Sequence, residues 1–478
     1  MNWWEMSKQL FQGIGVLTAA RGNLVYLIPL VLVTAFSFAI RTVNLEAVLD
    51  RLTDSDVYLT TTMLAYKGFP LYKEVFCSQP PLIIWLILLA FRLFGMTSFA
   101  GGLVGVSFSI LGIVGVFLMS KEISSWRAGL VAALLLSFSP YYLWLSRSAS
   151  NEIIFCALST VAVYPFLVYL RNGDHRWLCG SGFIFGLCIL AKFFAFFPLV
   201  VVAAYLAWKK DVRGICFFAI SAVLPLLSLL TVDFRAMVDN TIIYQLKKPP
   251  HTWWTKLHVT QEFLVSDPSL ILAGFVGIVY AFRRRDWRLW FVPLWFLIFF
   301  TGLILQSEFW FHYLINVLPP LAVLAGFILD QTLFKHPPKT IGIIVLIGLV
   351  LGASTVANQD YHYIYSFPRV YGPYSDTYST ATLVQSLTSP DDFIISGDLL
   401  IPFLSNRPIP PFLTDISWAR IQMGLVSSAM LIQACQAYDI RVVVKCGRLD
   451  YFSDFIKYLH VHYERVAVIG SYWVYLRK

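Results

Sequence analysis

Apolar runs of roughly 20 residues, the length that crosses a bilayer as a helix, recur along most of this chain and are separated by short polar stretches. Spans are expected at about 23–41, 99–120, 128–145, 152–170, 177–191, 193–208, 214–232, 268–282, 289–306, 309–330 and 340–357. The pattern predicts a polytopic α-helical membrane protein with about eleven transmembrane helices. One further segment, 80–95 (PPLIIWLILLAFRLFG), is short, begins with Pro80-Pro81 and contains Arg92. Residues 1–22 mix Trp, Lys and apolar positions, as an interfacial helix lying on a membrane does, and the span after them is expected to remain as an anchor.

Charge decides what 80–95 does. The loops 120–127, 171–176, 209–213, 283–288 and 335–339, with Lys8 and Arg21, carry 15 Lys and Arg residues. They share one side only if 80–95 does not cross. The positive-inside rule therefore makes 80–95 a helix along the outer leaflet, the N-terminus cytoplasmic and the C-terminus outside. The outer face then gathers Asp54, Asp56, Glu74, Glu152, Asp233, Asp239, Glu262 and Glu308.

From 358 onward the period changes. DDFIISGDLL and RVVVKCG read as strands, SSAMLIQACQAYD and SDFIKYLHVHY as helices, and VAVIGSYWVYLRK as closing strands. Residues 358–478 are thus expected to form a small extracytoplasmic α/β domain on a transmembrane domain of residues 1–357. Composition agrees: 58% of residues are hydrophobic and 13% charged, which excludes an ordinary soluble protein. The net charge of +9 marks inner loops rather than a nucleic-acid partner. Cys156, Cys179, Cys188 and Cys216 fall in spans as small apolar residues, while pairing of Cys435 with Cys446 is left open. Neither a nucleotide-binding loop nor zinc-ligand spacing is present.

An ionisable group at membrane depth is costly, so each invites a functional reading. Asp54, Asp56 and Tyr58 begin the helical stretch DSDVYLTTTMLAYKG, where acids also suit the first turn. Arg147 and Glu152 flank the short loop SRSASNE, and Glu152 also fits as a helix-start acid. Lys192 divides two apolar segments and His312 lies at the outer end of a span; a snorkelling lysine and a hydrogen-bonding histidine are the plainer readings. The loop 247-KKPPHTWWTK-256 reads either as an aromatic-belt anchor or as a loop that orders over a lipid. Carboxylates beside a greasy groove, with cations nearby, suit an amphiphile with a phosphate head: the acid takes a proton from a hydroxyl and the cations hold a departing phosphate.

Asp54, Tyr58, Gly68, Tyr72-Lys73-Glu74, Phe76 and Pro80-Pro81-Leu82, followed by FRLFG (91–95), SRSASNE (146–152), LAKFFA (190–195) and FHYLINVLPPLAVLAG (311–326), form an ordered register over residues 23–330. It resembles that of the GT-C glycosyltransferases related to protein O-mannosyltransferases and the lipid A aminoarabinose transferase. The resemblance implies a GT-C fold and transfer of a sugar from a polyprenyl-phosphate donor to a glycan, lipid or protein acceptor hydroxyl on the extracytoplasmic face; single displacement would invert the anomeric carbon, and the chain's economy and its tail favour a bacterial plasma membrane. It implies Asp54 as general base, with Asp56, Glu74 and Glu152 as the accompanying acids. Tyr58, Tyr72, Lys73, Gln79, Arg147, Lys192, His312 and Tyr313 are the implied substrate- and phosphate-binding set. No cofactor or metal is required by that scheme. Two departures stand out: Ser55 replaces the Glu usual after the base, with Asp56 one place later, which leaves the base role open between Asp54 and Asp56, and Gln79 replaces a Lys or His before Pro-Pro. The competing readings are a transporter or flippase of a polyprenyl-linked substrate, and a catalytically inactive lipid-binding relative.

Overall fold

The computed structural model describes residues 25–47, 53–284, 287–334, 356–362, 364 and 375–478. Five of its helices are long and apolar enough to cross a membrane: Val25–Thr42, Ser98–Ile123, Asn151–Asn172, Val212–Thr231 and Phe311–Leu333. Two further pairs pass that test together but bend, Trp126–Ser137 with Pro140–Ser146 by 66° and Trp253–Ser266 with Pro268–Arg283 by 100°. Each bend is placed by a proline at the first turn of its second limb, where the missing N–H costs nothing, behind a capping residue. Ser139 Oγ accepts from the Tyr142 N–H, and Asp267 Oδ1 from the Leu270 N–H at 3.1 Å. His175–Ala191, Phe193–Trp208 and Leu289–Leu305 are shorter apolar helices. Every expected span from 23–41 through 309–330 falls on one of these helices. Residues 340–355 of the last expected span, and the interfacial segment 1–22, lie outside the described residues.

The segment expected to stay on the outer leaflet forms the helix Leu82–Phe94, stopped by Gly95 at φ 82°. Its 13 residues rise about 20 Å, too short for a hydrocarbon layer of about 30 Å.

Close approach holds the loop between Ser146 and Asn151 in place. Gly105, in the helix Ser98–Ile123, packs under the loop after Ser146; a Cβ there would lie 2.3 Å from the Ser148 carbonyl oxygen. Arg41, fully buried at the end of the first span, donates to Ser146 Oγ at 3.0 Å and to the Ser137 carbonyl at 2.9 Å. The loop carrying Ser148 and Ser150 is thereby fixed from two sides, which sets where Glu152 begins its helix.

The C-terminal unit is a four-stranded sheet of β1 (Ile394–Ser396), β2 (Val442–Lys445), β3 (Tyr463–Ile469) and β4 (Tyr472–Arg477), in the order β1-β2-β4-β3. β1 and β2 are parallel and almost wholly buried, as their apolar runs require; helix Leu400–Ser405 packs on β1, and helices Asp376–Leu387 and Ser453–His462 on the β3–β4 pair. β3 and β4 form a hairpin turning at Gly470, φ 54°, a conformation that favours glycine. Cys435 and Cys446 are both buried, and no disulfide joins them.

This unit docks on the segment 54–94. Thr60 Oγ1 donates to the Leu399 carbonyl at 2.6 Å, and Thr414 Oγ1 to the Phe76 carbonyl at 2.6 Å. The Phe76 N–H donates to the Pro411 carbonyl at 3.1 Å, and the Phe91 and Phe403 rings stack at 5.9 Å.

Candidate active site

Asp54 precedes the helix Ser55–Tyr66 at the N-cap position, but its side chain makes no capping hydrogen bond. Its backbone is left-handed, φ 56°, ψ 18°, a region that an Asp enters more readily than most residues yet still at a cost of about 1–3 kcal/mol. The residue is exposed, while burial within the surrounding protein raises its pKa above the ordinary value, opposed by the positive influence of His312 and reinforced by Glu152 and Asp415. The carboxylate is thus open at its own surface yet desolvated by the protein packed around it. Simple helix capping does not account for this geometry.

Beside it lies a buried charge cluster. Glu152 opens the helix Asn151–Asn172 and is 1% exposed. Its Oε2 accepts from Ser150 Oγ at 2.8 Å, and its Oε1 pairs with Lys192 Nζ. His312 Nε2 sits 3.8 Å from the same Oε1 and has no hydrogen-bond partner, although the residue is only 7% exposed. Lys192 is placed by a break in the chain: the helix His175–Ala191 stops, Lys192 is extended, and a short 3₁₀ turn Phe193–Ala195 leads into the next helix. The aromatic rings of Tyr313 and Phe194 lie 4.1 and 4.5 Å from its ammonium group. Asn151 Nδ2 donates to the Ala191 carbonyl at 2.6 Å and locks the two helix ends together.

The other expected residues divide. Tyr58 and Tyr313 are buried within this group; the Tyr58 hydroxyl has its pKa raised by burial and then by Glu152 and Asp54. Tyr72, buried and at φ 66°, donates its hydroxyl to the Gln79 carbonyl at 2.7 Å, so Gln79 serves here through its backbone. Arg147 is buried and donates to the Val43 carbonyl; the cation that pairs with Glu152 is Lys192. Lys73 and Glu74 are exposed. Lys73 lines a separate groove of about 360 Å³ with Trp85, Leu88 and Asp233, away from the cluster. Asp56 is half-buried and faces the C-terminal unit: burial first, then Asp398 and Asp54, push its pKa up to about 8. Among the described residues, no grouping of three or more His, Cys, Asp or Glu is placed to hold a metal ion.

Loop 247–256 proves to be pinned. Lys248 Nζ pairs with Glu308 at 2.7 Å, and Lys256 Nζ donates to the Ile304 carbonyl at 2.7 Å. Trp253 and Trp254, at the start of its helix, are largely exposed.

Sequence reading missed the groups the tail contributes. Asp415 and Asp398 reach Asp54 and Asp56 electrostatically. Arg448 donates to the Ile416 carbonyl at 2.9 Å, and Arg420 covers the Phe76 ring at 3.9 Å. The stretch TDISWAR (414–420) was a signal, with two charges and a Trp clustered after a proline-rich loop, but nothing local linked it to a residue some 360 positions earlier. Arg41 was also missed; an arginine closing an apolar run marks it as a buried polar anchor.

The fold and site define a polytopic helical membrane protein in which loops and helix ends bring the Asp54 carboxylate into electrostatic reach of the buried Glu152–Lys192–His312 cluster, with Asp415 of the appended α/β unit. Residues 78–232 match the family model described as dolichyl-phosphate-mannose-protein mannosyltransferase, a stretch that includes Glu152 and Lys192 but not Asp54 or His312. The structure is similar to that of ArnT from Cupriavidus metallidurans bound to undecaprenyl phosphate: TM-score 0.67 and 12% identity over 93% of this chain and 97% of that one. It is also similar to the oligosaccharyltransferase AglB from Archaeoglobus fulgidus in complex with an inhibitory peptide and a dolichol-phosphate: TM-score 0.60 and 15% identity over 96% and 74% of the chains. An uncharacterized protein of Aquifex aeolicus (strain VF5) is 25% identical over 291 residues, so the match spans 56% of that relative's length. At 12% and 15% identity, the likenesses to ArnT and AglB show a shared fold.

Proposed function

We propose that this protein transfers a sugar from a polyprenyl-phosphate donor to an acceptor hydroxyl on the extracytoplasmic face of a bacterial plasma membrane. The observation that carries the reading is the open, uncapped Asp54 carboxylate within the electrostatic reach of the buried Glu152–Lys192–His312 cluster. The family match and the lipid phosphates bound by the two structural relatives support the donor class.

In the proposed reaction the acceptor oxygen attacks the anomeric carbon as the bond from that carbon to the phosphate oxygen breaks. The bonding pair leaves with the phosphate, and the hydroxyl proton passes to Asp54. A single displacement inverts the anomeric centre. Burial raises the pKa of Asp54 toward working pH, which strengthens it as a base. His312 Nε2, a buried ring nitrogen without a partner, is suited to the growing charge on the leaving phosphate, with Lys192 behind it. Glu152 holds Lys192 in place. Lysine and histidine suffice for a monophosphate leaving group, so the scheme calls for no metal ion. The positive-inside rule, applied to the basic loops, supports a cytoplasmic N-terminus and an α/β unit outside.

The test is transfer from a panel of radiolabelled polyprenyl-phosphate sugars into membrane extracts, comparing the wild type with Asp54→Asn. Product made by the wild type and lost in the variant, with donor binding retained, establishes the transferase and its base. Transfer undiminished by the substitution removes Asp54 from that role.

A further inference from the structure

The segment around His251 reaches the charge cluster through one continuous set of contacts. The His251 N–H donates to the Ser307 carbonyl at 2.7 Å, and the Phe309 N–H lies 3.2 Å from His251 Nδ1 as its donor. The next residue, Trp310, sets its ring perpendicular to that of His251 at 4.6 Å and parallel to that of His312 at 6.4 Å, with an interplanar angle of 6°. His312 then aims its unpartnered Nε2 at Glu152. On either side the same two segments are stapled by Lys248–Glu308 and by Lys256, whose ammonium caps the Ile304 and Gln306 carbonyls at the end of the helix Trp287–Leu305.

We infer that His251 is a positioning residue for His312: by fixing the Phe309 backbone and the Trp310 ring, it sets His312 Nε2 at the depth where it meets a lipid-linked phosphate. This rests on the proposed reading of the site. The physical reason lies in the local chain. Residues 306–310 form no regular helix, and the 3₁₀ turn Phe311–Val317 begins without a side-chain cap, so this stretch has no helical ladder of its own to fix its register. External contacts must hold it, and a contact at Phe309 is carried to His312 through a short, ring-packed stretch of chain. The orphaned nitrogen is the second sign. A buried imidazole nitrogen without a partner costs stability, and such a cost is retained where a ligand completes the bond.

The experiment is a double-mutant cycle on undecaprenyl phosphate binding, with the full chain in nanodiscs, which needs no turnover. His251→Ala is expected to weaken binding about tenfold, and His251→Asn, whose side-chain oxygen can accept from the Phe309 N–H, to recover most of it. His312→Ala alone and the double variant His251→Ala/His312→Ala are expected to bind equally weakly, since His251 acts through His312. Additive losses, or wild-type binding by His251→Ala, overturn the inference. Hydrogen exchange supplies the independent reading: His251→Ala should deprotect residues 307–313 and leave the helix Ser98–Ile123 unchanged. If the wild type neither binds the lipid phosphate nor transfers sugar, the proposed function fails; the exchange result still decides whether His251 sets the His312 segment, and unchanged exchange there refutes it.

Discussion

Lys192 and Glu152, 40 residues apart, form an ion pair with side chains 5% and 1% exposed, at the point where two helix ends meet. Neither charge has water to fall back on. Removing one partner leaves the other buried and unpaired, which costs about 3–5 kcal/mol. Glu152→Ala and Lys192→Ala should each lower the apparent Tm of the purified protein by about 5 °C or more. Glu152→Gln with Lys192→Met, which removes both charges at similar volume, should recover most of that loss while transfer stays abolished. Differential scanning fluorimetry alongside a transfer assay separates the two effects.

Asp54 makes no capping bond, so its loss should leave stability alone and strike the chemistry. Asp54→Asn is expected to reduce turnover by about 10²–10⁴-fold, the range for a general base, with the apparent Tm unchanged or slightly higher. A large fall in Tm would give Asp54 a structural role instead.

The base works only when ionised, so transfer should fall as pH drops through the pKa of Asp54. Burial places that pKa above the ordinary Asp value and His312 pulls it back. Replacing His312 with Gln removes the opposing influence, so the acid limb of the kcat/KM profile should move to higher pH in that variant. A limb that stays in place would separate His312 from Asp54.

Asp56 predicts the reverse dependence, in stability. Its folded pKa of about 8 lies above the ordinary value of 3.8, so the folded protein binds a proton the unfolded chain has released. That contribution is full below the ordinary value and is lost as pH rises through about 8. Asp56→Asn should therefore flatten the decline in apparent Tm between about pH 6 and 9. It should do so with transfer at neutral pH largely retained, because a carboxyl protonated there is not the base.

Arg420 fastens the C-terminal unit to the outer loop. It is buried, donates to the Phe412 and Asp415 carbonyls, and covers the Phe76 ring. Arg420→Ala leaves those carbonyls without their donor and should cost about 2–3 kcal/mol. Limited proteolysis should then cut within residues 406–424 in the variant before the wild type.

The sequence alone determined the apolar spans, the short helix Leu82–Phe94 and the strands of the tail, because each rests on a period or length read within one stretch of chain. It also singled out Asp54, Glu152, Lys192 and His312, since an ionisable residue beside an apolar run is conspicuous wherever it occurs. What it left open was where each charge turns: Lys73 lies on a separate groove, Glu74 is exposed on the surface, and Arg147 holds a backbone carbonyl while Lys192 takes Glu152. Partner choice among several candidate cations depends on which helix ends meet. Only the tertiary structure brought Asp398 and Asp415 to Asp56 and Asp54, and His251 to Phe309. Those relationships join residues tens to hundreds of positions apart, through packing that no local pattern encodes.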